Sequence, residues 1–393
     1  MATASAWTFA GADDLRPVAC SVAFEDELKE DANDSPLSTL PRFQHARMQA
    51  AMWTGDFIRL AGWRRPETWS DPRRYIQWTE GAAGCRRQGP AVRGNRVVIR
   101  LESTAFEVDV LPEVGGKVGQ IRHKGSGCDL LIPPRRPYRT IPADGDWLKH
   151  DTSGMDDCFP NVARGLYPEQ PWATARLPDL GEWTHSTWSV RHVEPAQLVM
   201  EKAGVALPYL AIKTIGFADE QTLEFSYRVQ NCGQFPLRYI WSAHPLIAVG
   251  EKFKVALPAG SASFRTFPPT DAVYTWPLYK GRDISSEWIP PGTTLKIFIT
   301  GLGGGWCALE LPEHTLRFSF DMEAVPAVGV WFNNFGFPGA DASAFRCIAV
   351  EPCTSPSDLL DDLDAAAYPR IAAGAVVEWS MRLSISSRSG ERE

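Results

Sequence analysis

From about residue 92 onward the chain alternates polar and apolar residues with a period of two. Thr222–Gln230 sets Leu223, Phe225, Tyr227 and Val229 against Glu224, Ser226, Arg228 and Gln230. Thr315–Asp321 sets Leu316, Phe318 and Phe320 against Arg317, Ser319 and Asp321. Val377, Trp379, Met381, Leu383 and Ile385 repeat the pattern near the C-terminus. Successive side chains of a strand point to opposite faces, so this pattern gives strands with one buried and one wet face, as in antiparallel sheets. Further strands are expected at Arg96–Leu101, Ala105–Leu111, Thr187–Val193, Leu210–Phe217, Leu295–Thr300, Trp306–Leu311 and Phe345–Val350. Turn residues separate them at intervals typical of a sandwich. The expected fold is mainly β, a large antiparallel β-sandwich over residues 92–388.

Residues 1–91 read differently, as an N-terminal extension. Phe24–Leu40 is acidic and polar, Arg42–Leu60 has the makings of one short helix, and residues 63–90 mix Arg, Pro, Gly and Trp without a period. One helix is expected in the later chain. Ser355 can cap it, Pro356 suits its first turn, and Asp358, Leu359, Leu360 and Leu363 follow.

Composition narrows the function classes. Hydrophobic residues are 44% and charged residues 22% of 393, enough for a sizeable core. A net charge of −7 offers no basic field for nucleic acid or an anionic membrane. The chain shows no apolar window of membrane-span length and no signal-peptide stretch at its start. Eight cysteines form no CxxC pair, so a cytoplasmic, reduced protein without a zinc knuckle is expected. Gly301–Gly305 is a glycine run between two strands, hence a loop and not a phosphate cradle. Fifteen tryptophans suit carbohydrate rings, whose C–H faces pack on indoles, although a large sandwich also uses aromatics in its core.

Two ionisable groups stand out. In WSAHPLI (Trp241–Ile247) an apolar lead-in carries His244 to a strand end, because Pro245 has no N–H for a central ladder. In CIAVEPCT (Cys347–Thr354) an apolar run carries Glu351 to a position where Pro352 is expected to stop pairing. An imidazole titrates near neutral pH, and a carboxylate is costly to bury unpaired, so the two together suit proton transfer. Either could instead be structural, bonding a turn or pairing with an arginine. His150 reads as surface, and His123, His192 and His314 as structural. No metal-ligand spacing is present, and no cofactor or metal is expected.

The succession PEVGGKVGQI (Pro112–Ile121), MDDCFPN (Met155–Asn161), LPDLGEW (Leu177–Trp183), WSAHP (Trp241–Pro245), VGVWFNNFGFP (Val328–Pro338) and VEPCT (Val350–Thr354) resembles the aldose 1-epimerase (galactose mutarotase-like) superfamily over roughly residues 92–387. The resemblance implies a galactose mutarotase-like supersandwich with a carbohydrate cleft on one face. It also implies His244 as general acid on the sugar ring oxygen and Glu351 as general base on the anomeric hydroxyl, gripping one pyranose from opposite sides. The partner would be a small carbohydrate or related polyol. One departure matters: relatives commonly read PDHGE where this chain has Leu180 in place of the histidine. Either His185 takes over that role or the pocket accepts a less polar ligand. Asp157, Trp183, Trp241 and, in the loop-like run WFNNFGF, Trp331 and Asn333 are the further substrate-binding candidates, with Asp156 as a turn cap. Three readings follow: an anomer-interconverting enzyme, a carbohydrate-binding protein that has lost catalysis, or other acid/base chemistry (lyase or isomerase) on the same fold.

Overall fold

In the Thr222–Asn231 strand burial alternates without a break, with Leu223, Phe225, Tyr227, Val229 and Asn231 buried and the residues between them only partly covered. The strand pairs antiparallel with Tyr209–Asp219 on one side and Val376–Ser387 on the other, bringing Tyr227 opposite Trp379. The computed structural model describes residues 97–260, 262–268, 272–337, 345–361 and 368–387. The expected extension 1–91, its helix over Arg42–Leu60, and the first and last few residues of the expected sandwich lie outside the described residues.

Two antiparallel sheets make up the sandwich. The larger runs Ile99–Glu102, Phe106–Leu111, Lys117–His123, Met155–Cys158, Ser242–Pro245, Arg346–Cys353, Ala327–Asn334, Thr293–Thr300, Ser263–Phe267, Tyr274–Thr275, with Cys128–Asp129 added beside Lys117–His123. The smaller runs Lys254–Ala256, Trp306–Glu310, His314–Phe320, Val376–Ser387, Thr222–Asn231, Tyr209–Asp219, Gln197–Ala203, Ser189–Glu194. Between them lies an aromatic core: Trp379 stacks near Tyr227, Trp183 and Phe159, and Trp241 packs against Tyr227 at 4.9 Å. Such offset and tilted ring pairs add to plain area burial.

Every strand expected from alternation is present to within a few residues. Three local expectations are not met. The end of the expected helix, with Leu363, lies outside the described residues, and residues 355–361 form bends and a turn and no helix. Their backbone groups bond elsewhere: Asp358 O accepts from Val162 N and Ala163 N, and Ser357 Oγ accepts from Leu359 N. Local side-chain bonds and tertiary partners have displaced the helical ladder. Trp331 and Asn333, read as loop-like, belong to the strand Ala327–Asn334, all eight residues of which are buried. Its uninterrupted apolar character is that of a strand covered on both faces, which alternation cannot reveal. Pro352 does not end its strand, which continues to Cys353.

Candidate active site: a buried charged row on the large sheet

His244 and Glu351 sit on adjacent central strands. Ser242 pairs with Cys353, so two residues further along the antiparallel ladder His244 comes opposite Glu351, on the same face of the sheet. His244 Nε2 is 3.8 Å from Glu351 Oε1. On its other side His244 pairs with Asp156, and Glu351 pairs with Gly329, which in turn pairs with Phe298. A transverse row therefore crosses five strands and faces away from the aromatic core.

Two lysines flank the row. Lys296 Nζ is 2.5 Å from Glu351 Oε2 and 3.4 Å from Asp358 Oδ1. Lys117 Nζ is 2.5 Å from Asp151 Oδ2 and 3.2 Å from Asp156 Oδ2. Ser242 Oγ donates to Glu351 Oε2 at 3.2 Å, and Trp147 Nε1 donates to Asp156 Oδ2 at 3.2 Å. Trp147 meets the His244 ring edge-on, and Trp331 stacks on it, each with ring centres 5.8 Å apart. All these side chains are buried or nearly so. His244 Nδ1, Glu351 Oε1 and Asp151 Oδ1 have no hydrogen-bond partner. Bare buried acceptors and donors of this kind are costly unless something satisfies them.

Burial sets the proton affinities. It raises the Glu351 carboxyl above the ordinary glutamate value, against the opposing pull of Lys296 and Ser242. Burial, then the positive charges of Lys296 and Lys117, lowers His244 well below an ordinary imidazole. Asp156 is raised by burial despite Lys117. For Lys296, burial opposes the charge, but Asp358 and Glu351 outweigh it and hold the ammonium protonated. Burial therefore pushes both of these facing groups toward their uncharged forms.

The remaining expected residues divide sharply. Asp157, next to Asp156, points the other way: Tyr227 OH donates to it at 2.7 Å, Trp241 Nε1 at 3.2 Å, and Lys213 forms a tight buried ion pair with it. Asp157, Trp183 and Trp241 thus belong to the core between the sheets and not to the site. Trp183 stacks on Phe159 at 4.6 Å. Asn333 closes a turn, its Oδ1 accepting from Gly336 N and Phe337 N. His185 has both ring nitrogens within 2.8 Å of backbone carbonyls, those of Pro142 and Asp179, so it holds loops together and leaves no atom for a ligand. Leu180 occupies a left-handed backbone conformation (φ +59°) just before the one-turn helix Gly181–Thr184, and its side chain is in the main apolar core. Only Trp331 joins His244 and Glu351 from the expected set.

Lys117, Asp151, Asp156, Trp147, Lys296 and Asp358 were not expected. Lys296 carried the same mark as His244 and Glu351, one charge inside an apolar run (LKIFIT), and Lys117 does so more weakly in GGKVGQI. Asp156 differs from Asp157 only in strand parity, which a one-residue slip reverses.

Comparison with solved structures agrees with this architecture. A candidate aldose 1-epimerase of Escherichia coli K12 superposes with a TM-score of 0.58 at 14% identity, covering 75% of this chain and 100% of that one. Galactose mutarotase-like proteins of Lactobacillus casei ATCC 334 and Clostridium acetobutylicum give TM-scores of 0.55 and 0.56 at 14% and 13% identity. They cover 74% and 75% of this chain and 100% and 96% of their own. The fold is galactose mutarotase-like. No protein-family model matches the sequence, and no curated protein does either. Within the mutarotase-like sandwich the charged row lies on the face of the large sheet that turns away from the smaller one. No helix among the described residues is long and apolar enough to cross a membrane.

Proposed function

We propose that this protein is an aldose 1-epimerase-like isomerase that interconverts the anomers of a small sugar through His244 and Glu351. The supporting observation is the 3.8 Å separation of His244 Nε2 and Glu351 Oε1, two buried groups that face each other without a hydrogen bond between them. Ring opening removes a proton from O1 and delivers one to O5. These two oxygens are bonded to the same carbon, so an acid and a base lying side by side on one sheet face can reach both. A grip from opposite sides of the pyranose, as the sequence led us to expect, is not needed.

In this reading the reacting form carries a proton on His244 as an imidazolium. It delivers that proton to O5 while the Glu351 carboxylate takes the O1 proton on Oε1, leaving a neutral imidazole and a carboxylic acid. The C1–O5 bond breaks, the free aldehyde rotates, and the reverse transfers close the ring on the other face. Lys296 and Ser242 hold Glu351 Oε2, leaving Oε1 for the substrate. Trp331 and Trp147 offer indole surfaces to the C–H faces of the sugar, and Lys117, Asp151 and Asp156 are placed to bind hydroxyls. The chemistry uses only these side chains.

Polarimetry of freshly dissolved aldoses tests the reading. The wild type should accelerate mutarotation, and Glu351→Gln should lower kcat by about 10²–10⁴ while sugar binding persists. Binding without any acceleration by the wild type would leave a carbohydrate-binding protein instead.

A further inference from the structure

Far along the sequence from one another, two hairpins meet at an edge of the sandwich. The first joins Lys117–His123 to Cys128–Asp129, with Gly127 at φ +69° in its turn and Cys128 opposite His123. The second joins Trp306–Glu310 to His314–Phe320, closed by Leu311 N donating to His314 O at 2.8 Å. The first belongs to the large sheet and the second to the smaller one.

At the junction a sulfur, a carboxylate and an imidazole converge. The Cys128 thiol, one carboxylate oxygen of Glu313 and a ring nitrogen of His314 all lie within 4.8 Å of one another. Cys128 Sγ is 3.6 Å from Glu313 Oε2. His314 is only 6% exposed, yet neither ring nitrogen has a hydrogen-bond partner. An imidazole buried with both nitrogens bare forfeits its hydration for nothing, unless a ligand completes it. Among the described residues this is the one group of His, Cys, Asp and Glu side chains that meets such a distance limit.

The geometry points to a divalent transition-metal site, of zinc type, formed by Cys128, Glu313 and His314 and stapling the two sheets together. The donor set decides the class. A thiolate excludes magnesium and calcium, which take oxygen ligands, whereas S, N and O donors together are what zinc accepts. Bond lengths of about 2.0–2.3 Å draw tetrahedral ligand atoms to within about 4 Å of each other, a small contraction from the present spacing. The exposed Glu313 can supply it by a rotamer change, and its exposure also leaves an entry path and room for water at the fourth position. His123 is not a ligand. Its Nδ1 accepts from Ser126 N, which keeps the proton on Nε2. On binding, the Cys128 thiol proton leaves to solvent, and thiolate plus carboxylate neutralise the 2+ ion. The site is separate from the His244–Glu351 row and does not depend on the proposed isomerase activity.

Cobalt(II) titration of the full-length, chelator-stripped protein tests this directly. The wild type should bind one equivalent and show a thiolate-to-cobalt charge-transfer band. Cys128→Ser should abolish the band and weaken Zn²⁺ binding, measured against a chromophoric chelator, by about 100-fold or more, and His314→Gln should weaken it comparably. Cys128 is half-buried and Glu313 exposed, so Cys128→Ser and Glu313→Gln should keep the wild-type circular dichroism. Zinc should raise the thermal midpoint of the wild type and leave that of Cys128→Ser unmoved. A charge-transfer band that survives Cys128→Ser would place the metal on another cysteine and overturn the assignment. So would a wild type that takes up no cobalt.

Discussion

Lys296 Nζ lies 2.5 Å from Glu351 Oε2, so one oxygen of the proposed base is bound to an ammonium while the other, Oε1, is bare and faces His244. The lysine therefore orients the carboxylate and also counters the rise in its proton affinity that burial causes. Lys296→Met should leave Glu351 uncompensated, cost about 3–5 kcal/mol of stability, and push the carboxyl further toward its protonated form. The acidic limb of the pH–rate profile should then move to higher pH, because Glu351 keeps its proton longer. Chemical denaturation and a kcat/KM profile would check both halves, and an unmoved limb would argue against Glu351 as the base.

The neighbouring aspartates should separate cleanly. Asp157→Asn strands the buried Lys213 and should cost about 3–5 kcal/mol, while leaving kcat near wild type below the lowered melting temperature. Asp156→Asn should instead raise KM, since Asp156 lies beside His244 on the site face. Equal kinetic effects from both would contradict the assignment of the two carboxylates to opposite faces.

Gly329 is the cross-strand partner of Glu351. A Cβ there would stand 3.3 Å from Glu351 Cβ, from its Oε2 and from Phe298 Cε1, closer than comfortable contact. Gly329→Ala should displace the carboxylate from Lys296 and lower kcat by roughly tenfold or more, since a small misplacement of a catalytic group is expensive. A near-wild-type kcat would mean that the row tolerates movement.

His244 also links stability to pH. Its proton affinity is lowered on folding, so below the ordinary imidazole value of 6.5 the unfolded chain binds a proton that the folded one refuses. The contribution is present above pH 6.5 and is lost as pH falls toward the depressed value. The stability advantage of wild type over His244→Asn should therefore shrink on acidification below 6.5. Denaturant midpoints at a series of pH values would detect it, and a constant difference would count against a buried neutral imidazole.

How much of this was legible beforehand depended on periodicity. Alternation placed strands such as Thr222–Asn231 and Val376–Ser387 because each has one wet face. Met155–Cys158 and Ala327–Asn334 escaped notice because both their faces are covered and leave no period to read. His244 and Glu351 were each marked as one ionisable group in an apolar run, a costly pattern; Lys296 carries the same mark in LKIFIT but was not singled out.

What the sequence determined by itself is the class of fold, the identity of the acid and base candidates, and a soluble-type balance of apolar and charged residues. Only the tertiary structure decided which of Asp156 and Asp157 faces the site. It also decided that His185 and Asn333 fasten loops, that Trp183 and Trp241 fill the core, and that Cys128 and His314 meet. The physical reason is the same in each case. Sequence fixes what a side chain can do, whereas strand register and the stacking of two sheets fix what it can touch.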